Sequence, residues 1–226
     1  MIVGLLAVAG LGLLALPWLA RPLGRRLAPS EWSRLCLLAI GAGAAAVEAA
    51  AVLLAAPTVL RALGVPALAA SCQRMLGPLT PGGPAAGWAA AAVGVTIPVL
   101  GAIGVVRARR TCQAARVEPC LGEHRTLDEG ELVVLPTPHV LAVSVAGPGG
   151  QVVVSEGLVN ALSPAQLDLV ISHEAAHLAN DHHRYLTLAT AVEHAFAAFP
   201  PARRSTAALR VALERWADEE ATAGVP

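Results

Sequence analysis

The stretch from His173 to His177 has the residue types and spacing that could support metal-assisted hydrolysis. Residues four apart on an α-helix lie one turn above each other on the same face, so His173 and His177 could present two imidazole nitrogens to one metal ion. Glu174 follows the first histidine directly, where its carboxylate could take a proton from a water molecule at the metal. The pattern therefore predicts two ligands and one general base.

A third ligand is expected further along the chain, because a catalytic zinc usually has three protein ligands and one open position. Glu214 is the predicted third ligand, on a predicted helix over 209–221. Asp218 lies one turn further on the same face and could accept the other N–H of a ligand histidine. Glu219 is the alternative ligand. Because Glu219 and Glu220 follow Asp218 directly, a solvated acidic face is the alternative to any metal site here.

The helix that carries the histidines can be predicted without the motif. Ser163, a proline and Gln166 form a capping-box start, and apolar residues then recur at helical spacing until about 180–181. Asp181 falls one turn after His177, so it is a second candidate for orienting a ligand. The alternative for Asp181 is an ordinary polar residue at a helix C-terminus.

The two motifs together resemble those of membrane-embedded gluzincin peptidases. H-E-x-x-H followed by E-x-x-A-D, attached to hydrophobic segments, is similar to the BlaR/MecR-type family of β-lactam sensor-transducers and small bacterial relatives. The HtpX and CAAX-prenyl-protease family is also similar. The resemblance covers 133–223. It implies Zn²⁺, Glu174 as general base, and His173, His177 and Glu214 as ligands. It also implies a protein or peptide substrate, with a cytoplasmic transcriptional repressor as one candidate.

Two further alternatives concern what the chain does with such a site. BlaR-type transducers carry an extracellular penicillin-binding sensor, and the sequence reaches Pro226 shortly after the second motif, so we expect a regulatory peptidase without a sensor domain. An HtpX-like quality-control protease is one alternative. A membrane subunit that binds zinc without hydrolysis is the other, although an intact Glu174 argues against it.

Composition indicates a membrane protein. The 226 residues are 55% hydrophobic and 14% charged, with a mean hydropathy of +0.61. The zero formal net charge gives no support to nucleic-acid binding. We predict a transmembrane region over 1–110, with spans at about 1–20, 35–56 and 88–106, and a peptidase domain over 111–226. The expected fold is mainly α: three transmembrane helices plus a small α+β gluzincin-like zinc-peptidase domain.

Arginine distribution predicts the orientation in the cell membrane. Four arginines lie in 21–34 and four in 107–116, whereas the connection over 57–87 has two. The positive-inside rule then places the N-terminus outside and the peptidase domain in the cytoplasm. Glu48 lies near the middle of the second predicted span. It is either a functional acid or a protonated one that is hydrogen-bonded to a neighbouring helix.

The remaining segments give coarser predictions. Strands are expected at 131–135, 140–146 and 151–155, and a free edge of their sheet could bind an extended substrate or only support the helix. The mainly apolar segment 186–199 has 14 residues, which is too short to cross a bilayer, so we expect it in the interface or packed on other helices. We predict a loop over 57–87. His182, His183, His124 and His139 are predicted to be solvated or to lie in loops without a partner.

Overall fold

Three helices of the computed structural model are long and apolar enough to cross a membrane. The structure describes residues 2–76, 83–116, 123–127 and 130–223. Its first five helices are α1 (Ile2–Leu19), α2 (Arg21–Gly24), α3 (Pro29–Ala62), α4 (Pro66–Leu76) and α5 (Pro84–Ala114). Within the described residues, α1 covers the first predicted span up to Leu19, and α3 and α5 contain the second and third spans and extend beyond them at both ends.

The loop predicted over 57–87 is wrong for most of its described residues. The second long helix continues to Ala62, α4 occupies Pro66–Leu76, and α5 begins at Pro84. The prolines misled the prediction because a proline at the first helical position starts a helix rather than breaking it. Alanine and leucine, which are frequent between them, are strong helix formers.

Glycines allow α1 and α3 to cross closely. A Cβ atom on Gly10 would lie 2.9 Å from the carbonyl oxygen of Gly43, and one on Gly43 would lie 2.7 Å from that of Gly10. Small residues at such a crossing let two backbones approach in a membrane. Leu14 and Ile40 are fully buried in the same bundle.

The small sheet has the strand order β1-β2-β4-β3. Its strands are β1 (Glu123–Leu127), β2 (Gly130–Leu135), β3 (Ala142–Val145) and β4 (Gln151–Ser155). β2 and β4 are parallel, and the other two pairs are antiparallel. The three predicted strands are confirmed, whereas β1 was missed. His124, which we expected in a loop, lies in β1, and its Nδ1 is 2.7 Å from Glu131 Oε1.

Four helices follow the sheet: α6 (Glu156–Ala161), α7 (Pro164–Ala179), α8 (His182–Ala195) and α9 (Pro200–Ala223). The predicted capping box is present at the start of α7, where Ser163 and Gln166 satisfy each other's backbone. The apolar face of α7 packs on the sheet, against Leu132, Val152 and Val154. The helix predicted over 209–221 is the second half of α9.

α8 and α9 pack against the long helices, as expected for the apolar segment 186–199. A Cβ atom on Gly104 of α5 would lie 2.8 Å from Ala191 Cα of α8. The backbone N–H of Trp18, near the end of α1, donates to Ser205 Oγ of α9 at 3.1 Å. α8 and α9 therefore pack on the C-terminal parts of α5 and α1, and Cys112, near the end of α5, packs on the sheet. The two arginine-rich segments are consequently on the same side as this domain.

Candidate metal centre

α7 and α9 bring His173, His177 and Glu214 together. The two Nε2 atoms are 3.2 Å apart, and Glu214 Oε2 lies 3.5 Å from His173 Nε2 and 3.8 Å from His177 Nε2. Ligand atoms held tetrahedrally by zinc at ~2.0–2.1 Å would be about 3.3 Å apart. The three distances are close to this spacing, and two imidazoles with one carboxylate are a donor set that zinc accepts.

Packing of α9 explains why its acids face α7. Leu213, Trp216 and Ala217 are buried in the core shared with the long helices. Helical periodicity then leaves Glu214 and Asp218 together on the flank next to α7. Among the described residues, the group that could share one ion is His173, His177 and Glu214, and the alternative ligand Glu219 is not in it.

Asp218 lies where it can orient His173. Its Oδ1 atom is 3.0 Å from His173 Nδ1, on the side of the ring opposite the shared metal position. A carboxylate there accepts the Nδ1–H and keeps Nε2 free for a metal. The structure thus brings together the pair that the motif spacing predicts.

His182 contacts His177 as Asp218 contacts His173. Sequence reasoning missed this contact. The two Nδ1 atoms are 2.8 Å apart, and His182 is only 1% exposed rather than solvated. Burial, followed by the charges of His177 and His173, lowers the pKa of His182 to about 4. His182 is therefore neutral near pH 7 and can accept a hydrogen bond from the Nδ1–H of His177.

The carboxylate of Asp181 pairs with residues of α8 and does not take the position beside a ligand histidine that was considered for it. Its carboxylate lies 3.1 Å from Arg184 Nη1 and 3.7 Å from His183 Nδ1. Its backbone is left-handed, with φ of 53°, a conformation that aspartate tolerates better than most residues. Asn180 and Asp181 separate α7 from α8, and the left-handed turn at Asp181 directs His182 back toward His177. Helical spacing alone could not predict the contact, because the two histidines are five residues apart across a break.

Aromatic and amide groups connect α7 to α9 behind His182. The ring centroids of Trp216 and Tyr185 lie 4.9 Å and 6.1 Å from that of His182. Trp216 Nε1–H donates to Glu220 Oε1 at 2.7 Å, and Asn180 Nδ2 donates to Glu220 Oε2 at 2.6 Å. Glu220 is therefore hydrogen-bonded to the end of α7, although its side chain is exposed.

Glu174 is half-buried and lies on α7 between two faces. His173 and His177 point to one side, and the residues that pack on the sheet point to the other. Burial lowers the pKa of His177, opposed by the nearby carboxylates of Glu214 and Glu174. Desolvation thus favours the neutral imidazole, which is the form that binds a metal.

Comparison with protein families bears on the activity of this site. Residues 123–210 match the model of Peptidase family M48. The M48 match runs from β1 into α9; it includes His173, Glu174 and His177, and it ends before Glu214. It supports a metallopeptidase function, for which zinc is the typical metal in this family, and it does not single out the BlaR/MecR type. No curated protein and no solved structure matched the chain.

Glu48 is separate from this centre. It lies in the part of α3 that packs on α5, where a Cβ atom on Gly94 would be 3.7 Å from Glu48 Oε1. Its buried Oε2 atom has no hydrogen-bond partner within the described part of the chain. The hydrogen bond to a neighbouring helix, one of the two alternatives for Glu48, is thus not found for this oxygen among those residues.

Proposed function

We propose that the chain is a membrane-embedded, zinc-dependent endopeptidase that hydrolyses peptide bonds at the cytoplasmic face of the bilayer. The observation that carries this proposal is the convergence of His173, His177 and Glu214, whose ligand atoms lie within 4.8 Å of one another. Separate side chains fix the two imidazole rings, since Asp218 contacts His173 and His182 contacts His177. Such support from neighbouring groups is typical of a metal site.

The chemistry follows from the side chains around this point. A zinc ion held there would polarise the scissile carbonyl and lower the pKa of the attacking water. Glu174 acts as general base, because it is beside His173 and half-buried where water is partly excluded. It takes the proton of the attacking water and later gives it to the leaving amine, so the carboxylate is regenerated in each cycle.

The outer edge of β3 is the proposed place for the substrate backbone. Within the described residues β3 pairs only with β4, and α7 packs beside both strands. An extended peptide could therefore add to β3 by main-chain hydrogen bonds next to the face that carries Glu174. Val140 is 68% exposed and Leu141 is 40% exposed just before this strand, which offers apolar contacts to a bound peptide.

Position and resemblance support a regulatory role at the membrane. The arginine-rich segments 21–34 and 107–116 lie on the domain's side, and by the positive-inside rule this supports an N-terminus outside and a domain in the cytoplasm. A small cytoplasmic repressor is the substrate class that the BlaR/MecR resemblance implies. A quality-control protease would have the same site but would cleave many unfolded proteins.

A comparison of wild type with Glu174→Gln tests this proposal. Both proteins, purified in detergent, should hold about one zinc ion per chain, because glutamine leaves the three ligands in place. New protein N-termini should appear in cells that express the wild type and be absent with Glu174→Gln. One or a few cleaved proteins would indicate regulation, and many would indicate quality control. Identical N-termini in both strains, despite bound zinc, would favour the non-catalytic subunit.

A further inference from the structure

A groove of about 540 Å³ lies between the α1–α3 connection and α9. It is separate from the metal centre and on the same side of the long helices. Its lining consists of three arginines, one buried aromatic ring and small or apolar residues: Arg21, Gly24, Arg25, Trp32, Ala208, Val211, Ala212 and Arg215.

The charge in this groove is of one sign. Arg21, Arg25 and Arg215 contribute guanidinium groups, and no carboxylate is among the lining residues. Arg21 donates to the carbonyl of Arg204 at 3.1 Å, and Arg215 donates to that of Gly24 at 3.2 Å. Each bond uses one N–H of a group that has five, so the arginines are held in place with donors remaining.

The floor of the groove is apolar and preformed. Trp32 is 8% exposed, and the Ala208 and Ala212 side chains beside it are buried. A Cβ atom at Gly24 would overlap the Trp32 indole, so the chain can pass close over the ring only because this residue is glycine. The cavity therefore combines a rigid apolar floor with a cationic rim.

The groove also lies at a defined depth. Arg21 comes two residues after the end of α1, the first candidate membrane span. Leu19 and Leu23 are 61% and 55% exposed beside it, and Val211 on α9 is 62% exposed. Apolar side chains exposed next to clustered arginines are typical of the boundary between acyl chains and headgroups.

We propose that this groove binds the phosphate of an anionic phospholipid headgroup, with the acyl chains against the exposed apolar residues of α1 and α9. The proposal rests on the bilayer placement given above. Guanidinium groups bind phosphate oxygens through paired charge-assisted hydrogen bonds, and basic pockets between membrane helices on the cytoplasmic side suit such headgroups. A bound lipid would hold α9, the helix that carries Glu214, against the end of α1.

Native mass spectrometry of the full chain in detergent tests the lipid site, with added phosphatidylglycerol and phosphatidylcholine as probes. We expect the wild type to bind phosphatidylglycerol more tightly than phosphatidylcholine. Arg21→Gln combined with Arg25→Gln should weaken phosphatidylglycerol binding by roughly tenfold or more, since each arginine near anionic lipid contributes about fivefold. The matched control is Arg109→Gln with Arg110→Gln, two exposed arginines of α5 outside the groove, and it should change binding less than about twofold.

Three results would overturn the proposal. An unchanged affinity in the groove variant would remove the site, and an equal loss in the α5 variant would indicate diffuse attraction of lipid to the basic surface. Inorganic phosphate that displaces phosphatidylglycerol would identify a soluble anion as the ligand. Zinc content, measured on the same samples, shows whether each variant is folded and separates a failure of the lipid site from a failure of the peptidase proposal.

Discussion

The two histidines of the candidate metal centre are held by opposite kinds of surroundings. Glu214 and Asp218 form an acidic side next to His173, and their side chains are 61% and 68% exposed. His182, Tyr185 and Trp216 form a buried side behind His177, where His182 is 1% exposed. One side supplies charge in contact with water, and the other supplies a neutral partner in a fixed position.

This difference predicts which contacts decide zinc binding and which decide the geometry of the imidazole rings. An exposed carboxylate interacts weakly with a distant charge, so we expect Glu214 to matter as a direct ligand and Asp218 as an exposed acceptor for the Nδ1–H of His173. A buried neutral imidazole has few alternative positions, so His182 should fix both the tautomer and the ring orientation of His177. The acidic side would then decide whether zinc binds at all, and the buried side how well the site is preorganised.

The largest effect is expected from removing the one ligand of the acidic side. Glu214→Ala leaves two imidazoles, which do not complete a catalytic zinc site. The zinc content of the purified variant should fall from about one ion per chain to nearly none. Glu219→Ala is the matched control and should keep its zinc. Loss of zinc in Glu219→Ala, with full retention in Glu214→Ala, would exchange the roles of the two acids.

The next effect concerns the partner on the buried side. His182→Ala removes the acceptor for the Nδ1–H of His177, and zinc affinity measured with a competing chelator should fall about 10- to 100-fold. His182→Gln, whose side-chain oxygen can accept the same bond, should recover part of the loss. His183→Ala changes the exposed neighbour and should have no effect. Equal affinities in the alanine variants at 182 and 183 would exclude a positioning role for His182.

On the acidic side, Asp218→Ala should have a smaller effect than His182→Ala. Water can replace the exposed carboxylate as an acceptor for His173, so we expect a loss of zinc affinity of about tenfold or less. Asp181→Asn removes the carboxylate but keeps a residue that tolerates the left-handed turn, and it should leave the affinity unchanged, since that carboxylate pairs with Arg184 and His183. A larger effect from Asp181→Asn than from Asp218→Ala would restore the orienting role considered for Asp181.

The sequence predicts best the parts of the fold that depend on local rules. The capping box at Ser163 and the apolar spacing in α7 involve neighbours within a few turns, and both are present in the structure. The three long helices could be predicted from apolar length alone. β1 was missed because Glu123, His124 and Arg125 give it no apolar alternation, and its pairing with β2 is what makes it a strand.

The candidate metal centre also has a part that local sequence rules predict and a part that they do not. The spacing of His173, Glu174 and His177 is local to one helix, and the choice of Glu214 came from resemblance and helical periodicity. The contact of His182 with His177 depends on a single left-handed residue and on the burial of both rings against α9. No pattern in the sequence predicts that turn. The expectation that His182 is solvated is wrong for this reason, because its burial comes from a tertiary contact.

The smallest predicted effect separates stability from metal binding on the buried side. Trp216→Phe keeps an aromatic ring against His182 but removes the N–H that Glu220 accepts. Loss of this hydrogen bond to a carboxylate should lower the free energy of unfolding by about 1–2 kcal/mol, seen as a lower midpoint in thermal unfolding. Zinc affinity should stay within about twofold of wild type, because the Trp216 ring only packs against His182, while its N–H donates to Glu220. If affinity fell as far as in His182→Ala, the indole would be part of what positions His177. The buried side would then act as one packed unit instead of through the single bond between His177 and His182.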